Sequence, residues 1–210
     1  IFVRSERAGL RVMTSIRGFL EKRMRLQVNE EKSGVRKPGE VSFLGFRFYC
    51  VTGEQGDTVA VFPSEKAERR LKAAVREMTP PNWGRPIAAC MKGVSRYLTG
   101  WMSHFRLCTP EAIGGLRIID AHVRRRVRAI IVRQRKRSRF LFRHLTSRGV
   151  SRRAAANCAY CGKGAWVKSN RPGMTRAYPP SWFTGRLVSL QARWLDLNPP
   201  MASAQQSLAL

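Results

Sequence analysis

Acidic residues are scarce in this chain: 13 Asp and Glu stand against 40 Lys and Arg in 210 residues, a formal charge of +27. A field of that size and sign opposes compaction unless a polyanion neutralises it, so a nucleic acid is the partner class that the composition favours. The only aspartates are Asp57, Asp120 and Asp196, far apart in sequence. Two-metal phosphoryl transfer needs carboxylates gathered around its Mg2+ ions, and their dispersal argues against a complete metal catalyst built from these residues. The adjacent pair Glu30-Glu31 reads as a solvated turn. Cysteine is sparse and odd in number (Cys50, Cys90, Cys108, Cys158 and Cys161), which argues against a disulfide framework and for a reducing compartment. No apolar run approaches the roughly 20 residues that cross a bilayer, and the N-terminus has no signal-peptide pattern. These absences argue against a membrane-spanning protein and a secreted knot.

What is present is the composition of a folded protein, 43% hydrophobic and 25% charged. The length suits one large domain or two small ones. Ile1-Phe2-Val3 reads as the second half of a strand, as though the chain continued something longer. Ser5 and Glu6 open a helix in the N-cap style, and Leu10, Met13, Ile16, Leu20 and Met24 follow at helical spacing. Leu26 to Val28 alternates as a short strand, and Gly34 and Pro38-Gly39 mark a turn. Val41 to Val51 reads as one strand, Gly53 to Asp57 as a hairpin loop, and Thr58 to Phe62 as the returning strand stopped by Pro63. Ser64 caps a helix to about Met78. Ile87, Met91, Val94, Leu98, Trp101, Phe105 and Cys108 then step by 4, 3, 4, 3, 4, 3, an a/d seam. A third helix begins near Pro110, with Ile113, Leu116, Ile119, Val123, Val127 and Ile130 on one face. Further short helices are expected near 139–147 and after Ser151.

Charge is concentrated in the second half. From Arg117 to Arg153 there are 13 Arg and Lys136 against the single acid Asp120. A merely solvated helix interleaves Glu with its cations at i, i+4; here the like charges stand unrelieved. On the third helix Arg124, Arg125, Arg126, Arg128, Arg133 and Arg135 read as a face opposite the apolar one. Arg's planar fork suits bidentate contact with phosphate. Tyr160, Trp166, Tyr178, Trp182 and Phe183, set among Lys163, Lys168, Arg171 and Arg176, read either as a platform for unpaired bases or as the core of a small terminal lobe. Cys158-x-x-Cys161 is half of a zinc site or a coincidental pair. His104 and Cys108 read as packing on the seam.

Four blocks carry a resemblance. Leu26 to Ser33 (LQVNEEKS) resembles a late palm motif, and Phe43-Leu44-Gly45-Phe46 the block that follows it. Ser64 to Thr79 with Gly100 to Phe105 (GWMSHF) resembles maturase-specific helices, as does Asp120 to Arg128 (DAHVRRRVR). Together they resemble, over about residues 1–190, the C-terminal part of bacterial group II intron-encoded reverse transcriptase/maturases. The resemblance implies an α+β architecture: a small antiparallel palm-end hairpin with one helix (1–63), then a mainly α-helical thumb/maturase bundle (64–148), a basic aromatic extension (149–200) and a tail (201–210).

It further implies that Lys32, Phe43, Leu44, Gly45 and Phe46 belong to the late palm and primer grip. Arg124, Arg125, Arg126, Arg128, Arg133, Arg135, Lys136, Arg137, Arg139 and Lys168 are expected to bind RNA. The partners implied are group II intron RNA, an RNA–DNA duplex and the upstream fingers and palm of the parent protein, in the bacterial cytoplasm. The catalytic aspartates of that parent would precede Ile1. No catalytic residue and no cofactor are therefore expected in this stretch, Mg2+ being a requirement of the intact polymerase. The sequence departs from the family pattern at His122, where Trp is usual, and at Val132 to Ser138, which lacks two tryptophans. The alternatives are a general basic RNA chaperone and a zinc-assisted nuclease using Cys158 and Cys161.

Overall fold

The computed structural model describes residues 1, 3–53 and 56–199. The fold is α+β, with ten α-helices and one three-stranded antiparallel sheet among the described residues. The chain divides into two compact units, Ile1–Ala60 and the portion from Val61 onward.

In the first unit the Ser5 hydroxyl accepts the Ala8 N–H and opens α1 (Glu6–Lys22). Gly9 lets the chain pass close by, since a Cβ there would lie 2.6 Å from a methyl of Val35. The helix is closed by Arg25 at φ +54° and by the Leu26 N–H, which turns back to the Leu20 carbonyl. That closure corrects the expected strand at 26–28: among the described residues no segment pairs with it. Ile1 and Val3 are not strand either, and Phe2 lies outside the described residues. The Asn29 carboxamide accepts the Lys32 N–H, and Arg17 pairs with Glu30 at 2.6 Å, while Glu30 stays exposed in the turn as expected.

The expected single strand 41–51 is two strands, β1 (Ser42–Phe43) and β2 (Phe46–Gly53). Leu44 at φ +50° and Gly45 at φ +86° turn the chain between them, with Phe43 opposite Phe46. Two successive left-handed residues make the hairpin turn whose twist matches that of its strands. Glycine takes that conformation without strain, but leucine seldom does, which is why the pattern read as continuous strand. β3 (Gly56–Pro63) completes the order β1-β2-β3. Glu54 and Gln55, in the expected hairpin loop, lie outside the described residues.

In the second unit the Ser64 hydroxyl accepts the Ala67 N–H and starts α2 (Glu65–Met78). α3 (Ile87–His104) follows, then 3-10 turns at Phe105–Leu107 and Pro110–Ala112, then α4 (Ile113–Gln134). The seam of α3 drifts from strict a/d: Met91, Val94 and Leu98 are buried, Trp101 is half-buried, and Met102 is buried in its place. Phe105 and Cys108 reach the interior from the turn after the helix. Six shorter helices follow among the described residues: α5 (Ser138–Ser147), α6 (Arg152–Ala159), α7 (Ala165–Lys168), α8 (Pro172–Ala177), α9 (Pro180–Phe183) and α10 (Leu190–Leu197). One apolar cluster runs from Met91 and Val127 through Leu141 and Leu145 to Met174 and Phe183. Residues beyond 149 therefore share a core with α3, α4 and α5. α8 crosses α6 in near contact, because a Cβ on Gly173 would meet the Ala154 carbonyl and the Cys158 Cβ at 2.8 Å. No described helix is long and apolar enough to cross a membrane.

Candidate nucleic-acid interface

Arg124, Arg125, Arg126 and Arg128 are close neighbours on α4. At about 100° per residue such a run sweeps around the helix and cannot share one face. This corrects the expected arginine face. Arg128 is buried; its Nε donates to the Tyr178 carbonyl at 3.0 Å, and its guanidinium lies 5.6 Å from the Phe183 ring. Burial first, then the neighbouring charge of Arg124, brings it down to about 10, so it remains a cation at neutral pH. Arg126 donates to the Thr79 hydroxyl at 2.8 Å and to the Thr79 and Arg76 carbonyls at 2.6 and 3.2 Å. It thereby caps the C-terminus of α2, where the helix dipole favours a cation. Arg125 stacks 3.9 Å above Trp166 and donates to that residue's carbonyl. Of the four, only Arg124 has no hydrogen-bond partner among the described residues. In a chain this poor in carboxylates, backbone carbonyls serve as internal acceptors for the cations.

The remaining basic residues gather where α4 ends and α5 begins. Arg133, Arg135, Lys136, Ser138, Lys163 and Lys168 line an open cavity of about 340 Å3 backed by Val132 and Leu141. No carboxylate among the described residues lines it. Lys168 is positioned by donating to the Ala159 carbonyl at 2.7 Å. Arg135 lies 3.4 Å from His144 Nδ1, and His144 Nε2 shares a hydrogen bond with the Tyr178 hydroxyl. Burial, and then Arg135 and Arg148, hold His144 below its ordinary range. His122 is lowered likewise, by burial and then by Arg126, Lys72, Arg125 and Arg76. Arg137 and Arg139 stand exposed at the start of α5, with Arg139 5.0 Å from the Phe140 ring. Five cations around one cavity with no counter-charge can hold phosphate oxygens by charge-assisted hydrogen bonds. The expected residues thus divide: Arg133, Arg135, Lys136 and Lys168 meet in the cavity, Arg137 and Arg139 lie beside it in sequence, and Arg125, Arg126 and Arg128 are tied inside the fold.

The expected grip residues lie in the first unit. Phe43 and Leu44 are 55% and 69% exposed at the β1–β2 turn, whereas Phe46 is only 8% exposed. Lys32 is exposed, its backbone held by Asn29.

The aromatic cluster resolves mainly as core. Tyr178 and Phe183 are buried, Trp182 packs edge-on between them at 4.7 and 4.9 Å, and Trp166 lies beneath Arg125. Tyr160 is the exception, 57% exposed and 5.9 Å from Phe142. The Cys158 thiol donates to the Lys168 carbonyl and that of Cys161 to the Cys158 carbonyl. Among the described residues no three His, Cys, Asp or Glu come together around a metal position.

Sequence reasoning missed Asp120 as a fold-organising residue. Its carboxylate accepts from the Ser189 hydroxyl at 2.6 Å and from the Leu190 and Gln191 N–H groups at 2.8 and 3.2 Å, capping α10. A signal was there, since Asp120 sits on the buried stripe Leu116, Asp120, Val123, Val127. Arg148 was missed too; it donates to the Ala177 carbonyl and stacks 4.3 Å from Tyr178.

Residues 68–149 match the family model for the group II intron, maturase-specific domain. The match takes in most of α2, all of α3, α4 and α5, and every arginine from Arg124 to Arg139. It supports reading this stretch as the C-terminal region of a group II intron maturase. Lys163 and Lys168, which complete the cavity, lie beyond it. No curated protein matches the chain.

Proposed function

We propose that this chain is the thumb/maturase region, with the end of the palm, of a group II intron reverse transcriptase, and that its own part is to bind intron RNA and the template–primer duplex. One observation carries the reading: the stretch that matches the maturase-specific domain supplies Arg133, Arg135 and Lys136 to a cavity lined by five cations and no carboxylate. A phosphate backbone is the ligand that such a cavity suits. Polymerisation, with the Mg2+ it requires, belongs in this reading to carboxylates of the upstream fingers and palm. The splicing chemistry belongs to the RNA, whose active fold the protein stabilises. Lys32 and the turn at Phe43 to Phe46 would contribute to the primer grip, and the protein would act in the bacterial cytoplasm.

Competition binding at one fixed salt concentration tests this against a general RNA chaperone. The reading expects a group II intron RNA to displace a labelled intron at lower concentration than an unrelated structured RNA of equal length. Equal displacement by the two would leave only the chaperone.

A further inference from the structure

We propose that the cavity between α6 and α8 is a second anion site, built for a single phosphate group carried by nucleic acid. It lies outside the stretch matched to the maturase-specific domain, and it rests on the RNA-binding reading only for the source of the phosphate. The cavity holds about 280 Å3 and is lined by Arg153, Arg171 and Arg176 together with Ser151 and Asn157. No carboxylate among the described residues lines it.

Two observations bear on these arginines. Arg125, Arg126, Arg128 and Arg148 each donate to a backbone carbonyl. The guanidinium groups of Arg153, Arg171 and Arg176 have no hydrogen-bond or ion-pair partner among the described residues; the Nε of Arg171 is buried without one, as is that of Arg125, whose terminal nitrogen is satisfied by the Trp166 carbonyl. A buried N–H left unpaired is costly, and a ligand oxygen in this cavity would satisfy the Arg171 Nε together with its terminal nitrogens. The surrounding backbone is also fixed. The Arg171 carbonyl accepts the Met174 and Thr175 N–H groups, and Gly173 presses against the Ala154 carbonyl behind the cavity.

The donor set selects the ligand. Three guanidinium forks present planar pairs of N–H groups, the arrangement that matches phosphate oxygens. Ser151 Oγ already accepts the Ala154 N–H, which leaves its hydroxyl proton free to donate outward, and the Asn157 amide adds neutral donors. With three positive charges and no negative one, the cavity suits a phosphodiester or the more highly charged terminal monoester. Both share the same tetrahedral oxygens.

The test uses the full chain with Arg153→Gln and Arg176→Gln, singly and together; both residues are exposed, and circular dichroism checks that the fold is kept. Arg171→Gln is added if its spectrum matches. The probes are inorganic phosphate, followed by 31P line width, and a 12-nucleotide single-stranded RNA with either a 5′-phosphate or a 5′-hydroxyl. The parent chain is expected to bind inorganic phosphate, and the double variant to bind it about tenfold more weakly or worse. The variant's salt slope for RNA should flatten by about one. If the variants weaken only the 5′-phosphorylated RNA, the occupant is a terminal monoester; equal loss on both identifies a backbone phosphodiester. Phosphate and RNA affinities unchanged in the double variant, or a parent chain that does not bind phosphate, would overturn the proposal. Loss of phosphate binding by a chain showing no intron preference would sustain the site while removing the maturase reading.

Discussion

Arg128 finds its partner in a carbonyl, not a carboxylate, and that choice recurs at Arg125, Arg126 and Arg148. Arg128→Met keeps most of the side-chain volume but strands the Tyr178 carbonyl. Its unfolding free energy in urea should fall by about 1–3 kcal/mol, whereas Arg124→Gln should stay within about 0.5 kcal/mol of the parent. Asp120→Ala removes the acceptor for Ser189, Leu190 and Gln191 together. A loss of about 1–3 kcal/mol is expected, partly restored in Asp120→Asn, which keeps one acceptor oxygen. The sequence showed that Asp120 lies among apolar neighbours on its helix. It could not show the cap, because the groups it serves lie about 70 residues away. Likewise, a run of arginines announces charge, but consecutive positions point in different directions around a helix. Which of them turn inward depends on where Tyr178, Thr79 and Trp166 come to rest.

At the level of elements, local rules were readable and long-range ones were not. The caps at Ser5 and Ser64 follow from a hydroxyl placed three residues before a free N–H, and both stand where the sequence put them. The turn at Leu44-Gly45 did not announce itself, since only one of its two residues is a glycine. Gly45→Ala, at φ +86°, should destabilise the β1–β2 hairpin by about 1 kcal/mol. Leu44→Asn should stabilise it by up to about 1 kcal/mol. Native-state hydrogen exchange of the β2 amides reads both changes. In α5, His144 gives up its proton at a lower pH in the folded chain than its ordinary 6.5. Between those two values the unfolded chain binds more protons, so stability is full above 6.5 and falls as pH drops through the interval. His122 carries the same sign. The melting temperature should therefore fall on going from pH 7.5 to 5.5, and fall less in the His122→Gln, His144→Gln double variant. An equal fall in both proteins would contradict this.

Across the molecule, composition spoke early and correctly about charge imbalance, while the placement of charge needed the fold. The aromatic residues of the extension serve mostly as a core shared with α4 and α5, and the free cations collect at its edge, around Arg133, Lys136 and Lys163. Whether those cations exist to meet phosphate is best tested by the salt dependence of RNA affinity. With about six phosphates neutralised, log affinity should fall against log salt with a slope of about −4 to −5. Replacing Arg133, Lys136 and Lys163 together by Gln should make that slope shallower by about two units while leaving the melting temperature in place. A slope that does not move on this triple substitution, or RNA binding indifferent to salt, would contradict the central claim.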